Sequence, residues 1–141
     1  MTSNNFDNKI VITILLPLVA LIAPFLVFLI EFYLPYPHFV EEIIKAIFIY
    51  FIIQIPSFNT KIKLTLIVGI SFALSETVFY LFNFFMLDSI APLFLRLILT
   101  ALLHSTTMIV MLLSTFINKR FLLLGMILSV LIHYFYNMVV L

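Results

Sequence analysis

Apolar segments about as long as a lipid bilayer is thick make up almost the whole of this chain. A helix needs roughly 20 apolar residues to cross the hydrocarbon core of a bilayer. Hydrophobic residues account for 65% of the 141 residues and charged residues for only 9%. A soluble domain of this length cannot bury so much apolar surface. The sequence therefore predicts an integral membrane protein.

Short polar turns divide the chain into apolar segments, each of which we predict to be a membrane-spanning helix. The predicted spans are residues 10–33, 39–55, 62–86, 90–117 and 121–141. The first span is longer than the apolar part of a signal peptide, which has roughly 7–15 residues, so we expect it to be retained. The expected fold is an all-α, polytopic transmembrane helix bundle of about five spans, with residues 1–141 forming a single domain.

The basic residues of the predicted turns indicate how the bundle is oriented. With five spans, the N-terminal tail and the second and fourth turns share one side of the membrane. The loop lysines and arginines all belong to that side: Lys9, Lys61, Lys63, Lys119 and Arg120. The opposite side carries the acidic Glu31 and Asp88 instead. By the positive-inside rule, we expect the N-terminus inside and the C-terminus outside.

Charged and polar side chains within the predicted spans are the candidates for function, because such groups are costly in a bilayer and mark functional sites. They are Glu41, Glu42, Lys45, Glu76, Arg96, His104, His133 and Asn137. At about 1.5 Å per helical residue, they fall in the outer half of the bundle on four different helices. Lys45 follows Glu42 by three residues and Glu41 by four, so its ammonium can neutralise one carboxylate on its own helix.

Several of these groups also have a structural explanation. Glu41 and Glu42 suit a helix N-terminus, where acids interact favourably with the helix dipole. Lys45 can extend toward the membrane surface, and His104 and His133 can share hydrogen bonds between helices. Taken together on four helices, they favour a polar cavity inside the bundle instead.

We assign no functional role to three other polar residues. Thr107 falls on the same helix face as Arg96 and His104 and is expected to hydrogen-bond the backbone of its own helix. Glu31 and His38 are expected at the membrane interface, next to predicted span ends.

The candidate residues occur in an order that resembles a known family. The motifs are Glu41-Glu42-x-x-Lys45, Phe72-Ala73-Leu74-Ser75-Glu76-x-x-x-Tyr80, Arg96 with His104, and His133-x-x-x-Asn137. This pattern resembles the PrsW-type intramembrane proteases. These look related to the type II CAAX prenyl proteases and to the bacteriocin-processing and immunity proteins (Abi, CPBP). The resemblance covers residues 39–139 and implies a protein of the prokaryotic plasma membrane.

The resemblance implies an intramembrane endopeptidase, a hydrolase whose substrate is a membrane-anchored protein or peptide. Glu41 or Glu42 would be the general base that activates water, and His104 would orient that water. His133 and Asn137 would donate hydrogen bonds to the oxyanion. The remaining polar residues, Lys45, Glu76 and Arg96, would support the cluster.

Whether a metal takes part is left open by the residues. A zinc site would use His104, His133 and Glu76 as ligands, with water in the fourth position. The sequence contains no His-Glu-x-x-His motif that would indicate zinc, so the metal-free version is preferred at this point. The chain has no cysteine, which excludes thiol catalysis and disulfides, and its net charge of +1 gives no indication of a nucleic-acid partner.

Two other functions are compatible with the same residues. The small size, and the Glu-Glu-x-x-Lys spacing in place of the Glu-Glu-x-x-x-Arg of CAAX-type members, favour a catalytically silent immunity- or chaperone-like membrane protein. Acids and histidines in a membrane also form relays in proton- or cation-coupled transporters. Against a transporter, the sequence has no internal repeat and no Gly-rich helix break.

Overall fold

The computed structural model of the protein describes residues 3–84 and 91–140. All regular elements in these two ranges are helical. They are α1 (Ser3–Glu31), α2 (Pro37–Ile52), α3 (Phe58–Phe84), α4 (Ala91–Ile117), a 3-10 turn (Lys119–Phe121) and α5 (Leu122–Val140). The all-α prediction is confirmed, and each predicted span overlaps one helix. The turn predicted around Asp88 lies outside the described residues.

Three of the described helices contain a segment long and apolar enough to cross a membrane. The segments are Val11–Phe28, Leu93–Ile117 and Lys119–Val139. The protein is therefore an integral membrane protein, as its composition predicts. With 16 residues, α2 is shorter than the roughly 20 residues that a bilayer requires. The count of five spans and their orientation remain predictions.

Local sequence explains where the shorter connections begin and end. Pro37 occupies the first turn of α2, where its fixed φ suits a helix and its missing N–H is not needed. As a result α2 begins before the predicted span and includes His38. Between α4 and α5, Oδ1 of Asn118 accepts a hydrogen bond from the Arg120 backbone N–H at 2.9 Å and caps the 3-10 turn.

The short helix α2 packs against all four longer helices, whereas α1 contacts only α2 and α3 within the described residues. The helices α3 and α5 both pack along α4. The apolar core between them includes Leu16, Ala20, Phe48, Ile49, Ile52, Val68, Met108, Met111 and Leu112. This arrangement surrounds the buried face of α2 with side chains from every other helix.

The two glycines of the chain lie at close crossings with α4. A Cβ atom at Gly69 on α3 would lie 3.0 Å from the Cα of Ser105, and one at Gly125 on α5 would lie 2.9 Å from the Cα of Met111 and against the Ser114 hydroxyl. Small residues let helix backbones approach in a membrane, where packing rather than the hydrophobic effect holds helices together. These crossings bring α3 and α5 close to α4 on either side.

Candidate active site

Polar residues occupy the first two turns of the buried face of α2. These residues are separated by three or four positions, which places them on one face of the helix. They are His38, Glu41, Glu42 and Lys45. All four are buried, and Glu42 and Lys45 have no exposed surface. Burial of charge is costly without partners, so the surrounding helices have to supply them.

Glu42 lies at the centre of a triad with Lys45 and His133. Its Oε1 atom lies 2.5 Å from Nζ of Lys45 and 2.8 Å from Nδ1 of His133 on α5. A carboxylate paired with an ammonium accepts hydrogen bonds, so the proton of the neutral imidazole is on Nδ1. The Nε2 atom of His133 is then the proton acceptor of that ring.

The other glutamate of the pair joins a second group. Oε2 of Glu76 on α3 lies 2.5 Å from Nε2 of His104 on α4. Glu41, Glu76 and His104 each offer one ligand atom, and these atoms all lie within 4.8 Å of one another. The two groups adjoin, because Oε2 of Glu41 lies 3.8 Å from Nδ1 of His133 and the rings of His104 and His133 meet edge to face at 5.6 Å.

The donor set Glu41, Glu76 and His104 fits a divalent metal. Two carboxylates and an imidazole give three oxygen and nitrogen ligands, and a catalytic zinc site has three protein ligands with one open position. Nδ1 of His104 is buried without a hydrogen-bond partner among the described residues. This nitrogen is therefore available as a ligand. The predicted metal set contained His133 instead of Glu41. In the structure His133 is hydrogen-bonded to Glu42, and Glu41 completes the group of three residues that could hold a metal.

The cluster is accessible from the side of Glu41 and Glu76. Their side chains are 12% and 20% exposed. Those of His104 and Lys45 are fully buried. Glu41 and Glu76 are therefore the more exposed side chains of the two groups.

Comparison with protein families agrees with this chemistry. Residues 11–141 match the family model described as PrsW family intramembrane metalloprotease. This chain belongs to the PrsW family. The resemblance to PrsW-type proteases predicted from the motifs is confirmed, and the family supports an intramembrane protease, a hydrolase acting on membrane-embedded protein. Searches of curated proteins and of solved structures found no match.

The description of the PrsW family as metalloproteases favours the metal-dependent version of the site. The sequence had given a slight preference to the metal-free version, because no zinc motif is present. The convergence of Glu41, Glu76 and His104 supplies metal ligands without such a motif, since each comes from a different helix.

Two further predicted site residues of this PrsW-family chain are Asn137 and Arg96. Asn137 is half-buried one turn beyond His133, and no hydrogen bond within residues 3–84 and 91–140 joins it to the cluster. Arg96 is half-buried on α4, eight residues and therefore about 12 Å along the helix from His104. The side chain of Tyr80, part of the resemblance, lies outside the described part of the chain.

His38 was not expected to be near the site. Its ring lies 5.8 Å from that of His133, and the residue is 8% exposed. No role is predicted for His38 from the sequence, whereas α2 starts two residues before the predicted span and carries His38 on its buried face. The spacing of His38 to Glu41 and Glu42, three and four residues, was the available signal.

Thr107 has a second contact besides the one expected from its sequence position. Its hydroxyl donates to the backbone carbonyl of His104 at 3.2 Å, as predicted. It also lies 3.5 Å from Nζ of Lys45, from which it accepts a hydrogen bond. No local pattern indicates a contact between residues 62 positions apart.

Proposed function

We propose that this protein is an intramembrane endopeptidase that cleaves a membrane-anchored protein or peptide in a prokaryotic plasma membrane. One observation carries the proposal: Glu41, Glu76 and His104 converge from three helices beside the hydrogen-bonded pair of Glu42 and His133. Ionisable groups inside a membrane are costly and usually functional. The combination provides ligands for a metal and a separate group that can move a proton.

Glu41, Glu76 and His104 are proposed to hold the metal, for which zinc is our choice. When bound, zinc supplies Lewis-acid chemistry, which polarises the carbonyl under attack and makes water more acidic. The two carboxylates are also the more exposed side chains of the site. They lie where the scissile peptide group has to arrive.

His133 is proposed to take the proton from the attacking water at Nε2. Its Nδ1–H stays bonded to Glu42, which holds the ring in one tautomer and stabilises the imidazolium that forms. The same Nε2 then returns the proton to the leaving amine. The sequence had assigned the base role to Glu41 or Glu42. Here Glu42 instead acts through His133, because its Oε1 atom already accepts from both Lys45 and His133.

The wider placement of the chain is proposed from the motifs alone. The order of the motifs from Glu41 to Asn137 supports common ancestry with the type II CAAX prenyl proteases and the CPBP proteins. The same proposal treats the whole chain as one membrane domain of five spans, with its C-terminus outside.

The test compares the histidines in the purified protein, reconstituted in nanodiscs with single-span reporter substrates. The wild-type protein should cleave, lose cleavage with a chelator and regain it with zinc. His104→Gln should remove both bound zinc and cleavage. His133→Gln should remove cleavage and keep the zinc, because His133 is not among the proposed ligands.

His38→Gln replaces the third histidine of the chain and should keep the zinc, because His38 is not among the proposed ligands. Asn137→Ala tests the predicted oxyanion donor. A loss of cleavage comparable to that of His133→Gln would establish that role. Cleavage that is equal in the wild type and in both His104→Gln and His133→Gln would contradict the proposed site.

A second candidate function is a catalytically silent, immunity- or chaperone-like membrane protein of the same fold. The direct contacts of Glu76 with His104 and of Lys45 with Glu42 favour it, since they pair opposite charges or hydrogen-bonding groups without any ligand. In that case Glu76→Gln would fold and keep its biological effect, and no zinc would copurify with the wild type.

A further inference from the structure

A second layer of buried side chains lies one helical turn away from the candidate active site. Each of α2, α3, α4 and α5 contributes one residue, and none of them has exposed surface. The layer consists of Lys45, Phe72, Thr107 and Ser129. On its own helix, each is three or four residues from a member of the site: Glu42, Glu76, His104 and His133, respectively.

The ammonium of Lys45 is the centre of this layer. Besides Glu42, it contacts the hydroxyl of Thr107 at 3.5 Å and lies 5.3 Å from the ring centroid of Phe72, within the range of a cation–π interaction. The same Phe72 ring packs 5.1 Å from the ring of His104. Lys45 therefore has a defined position with a contact on α3 and on α4.

Thr107 connects three helices through its two oxygen atoms. Its hydroxyl donates to the carbonyl of His104, which leaves the oxygen lone pairs for the ammonium of Lys45. Its backbone carbonyl accepts a hydrogen bond from Oγ of Ser129 at 2.9 Å. Thr107 thus joins α2 and α5 to α4, one helical turn from His104.

The hydroxyl oxygen of Thr107 influences which carboxylate the Lys45 ammonium contacts. Lys45 follows Glu41 by four residues and Glu42 by three, so its ammonium is within reach of both. An ammonium that turned toward Glu41 would compete with a metal cation for that carboxylate and would leave Glu42 buried without its counter-ion. The hydroxyl of Thr107 gives the ammonium a second partner besides Glu42.

We propose that Thr107 is a positioning residue, whose hydroxyl holds the Lys45 ammonium against Glu42 and thereby keeps the Glu42–His133 pair aligned beside the metal-binding group. The kinetic part of this inference rests on the proposed proteolytic function. The contact between Lys45 and Thr107 is independent of that function.

The kinetic test uses three variants of the full chain in nanodiscs. Thr107→Val keeps the shape and removes the hydroxyl, Thr107→Ser keeps the hydroxyl, and Thr106→Val is the matched control, because Thr106 is exposed. Thr107→Val should lower kcat by roughly 10- to 100-fold, which is part of the roughly 100- to 10,000-fold that a positioned acid–base group contributes, with KM unchanged. The other two variants should stay within about twofold of the wild type. Wild-type kcat in Thr107→Val, or equal losses in Thr107→Val and Thr107→Ser, would overturn the inference.

A second test needs no substrate. Thr107→Val is introduced into the wild type and into the background Glu42→Gln/Lys45→Met, in which the ion pair is replaced by neutral side chains. The unfolding midpoint should fall by roughly 3–6 °C in the wild type and by less than half as much in the neutral background, since the partner of the hydroxyl is absent there. Equal shifts in both backgrounds would show that the contact does not exist. A wild type that cleaves nothing would contradict the proposed function, while this cycle would still decide the contact.

Discussion

The two halves of α2 are buried to a similar degree by opposite means. In the polar half, residues 38–45, the buried side chains are an imidazole, two carboxylates and an ammonium. In the apolar half, residues 46–52, Phe48, Ile49 and Ile52 pack into the core shared with α1, α3 and α4. One helix of 16 residues therefore carries both kinds of interior.

The polar half of α2 requires particular partners from other helices, whereas the apolar half does not. An apolar side chain in a membrane has lipid as an equally apolar alternative, so the apolar half depends on close packing. In the polar half each charge requires a particular partner at hydrogen-bond distance, because an unpaired buried charge is strongly destabilising. Partners for α2 come from α4 and α5, so the polar half can form only when these helices are correctly placed.

The largest expected effect comes from removing one charge of the polar half. Lys45→Met leaves the fully buried Glu42 without its ammonium and should lower the free energy of unfolding by about 3–5 kcal/mol. Chemical unfolding in mild detergent measures the loss. The double variant Glu42→Gln/Lys45→Met should regain most of it, because neutral side chains then replace both members of the ion pair. A double variant as unstable as Lys45→Met would mean that packing, and not charge, distinguishes the two halves.

An intermediate effect is expected at Gly125, whose neighbour Met111 belongs to the same core as the apolar half of α2. The Ser114 hydroxyl facing Gly125 is bonded to the carbonyl of Met111 at 2.7 Å, so it cannot easily turn away from a new methyl group. Gly125→Ala should cost about 1–3 kcal/mol and shift α5, which carries His133. Zinc binding should persist while cleavage falls.

Gly69→Ala is the matched control for that prediction. Its new methyl group would meet Ser105 at 3.0 Å and more, so a smaller loss of stability is expected than for Gly125→Ala. If both variants lose the same stability and keep full cleavage, the close crossings do not transmit a change of shape to the polar half.

The smallest effect is expected within the apolar half itself. Ile52→Val removes one buried methylene and should cost about 0.5–1.5 kcal/mol. Bound zinc and cleavage should be unchanged, since Ile52 lies about two turns from Lys45 on α2. A loss of zinc in this variant would show that the two halves are coupled more tightly than their contacts indicate.

Much of the fold follows from local features of the sequence. Apolar length and short polar turns predicted the helices, because a bilayer accepts few other structures. The ends were less well predicted: α2 starts at Pro37 and α3 at Phe58, two and four residues before the predicted spans. Both starts lie in turn sequences that contain proline, whose effect depends on which helical position it takes.

The candidate site was predicted as a set of residues but not as a set of contacts. Neighbouring residues of a helix point about 100° apart, so the sequence alone does not say which of Glu41 and Glu42 faces His133 and which faces Glu76 and His104. The rotation of α2 within the bundle decides this, and that rotation depends on packing against four other helices. For the same reason the contact of His38 with His133 was missed.

By itself, the sequence determined that this is an all-α membrane protein of the PrsW family with its polar groups gathered on four helices. Bilayer thickness and the cost of buried charge act on local segments. For this reason the sequence is enough to predict the helices and the polar residues within them. Only the tertiary structure assigned Glu42 to Lys45 and His133, and Glu41 to Glu76 and His104. Those pairings depend on distances between helices that are far apart in the sequence, and close packing at Gly69 and Gly125 sets such distances.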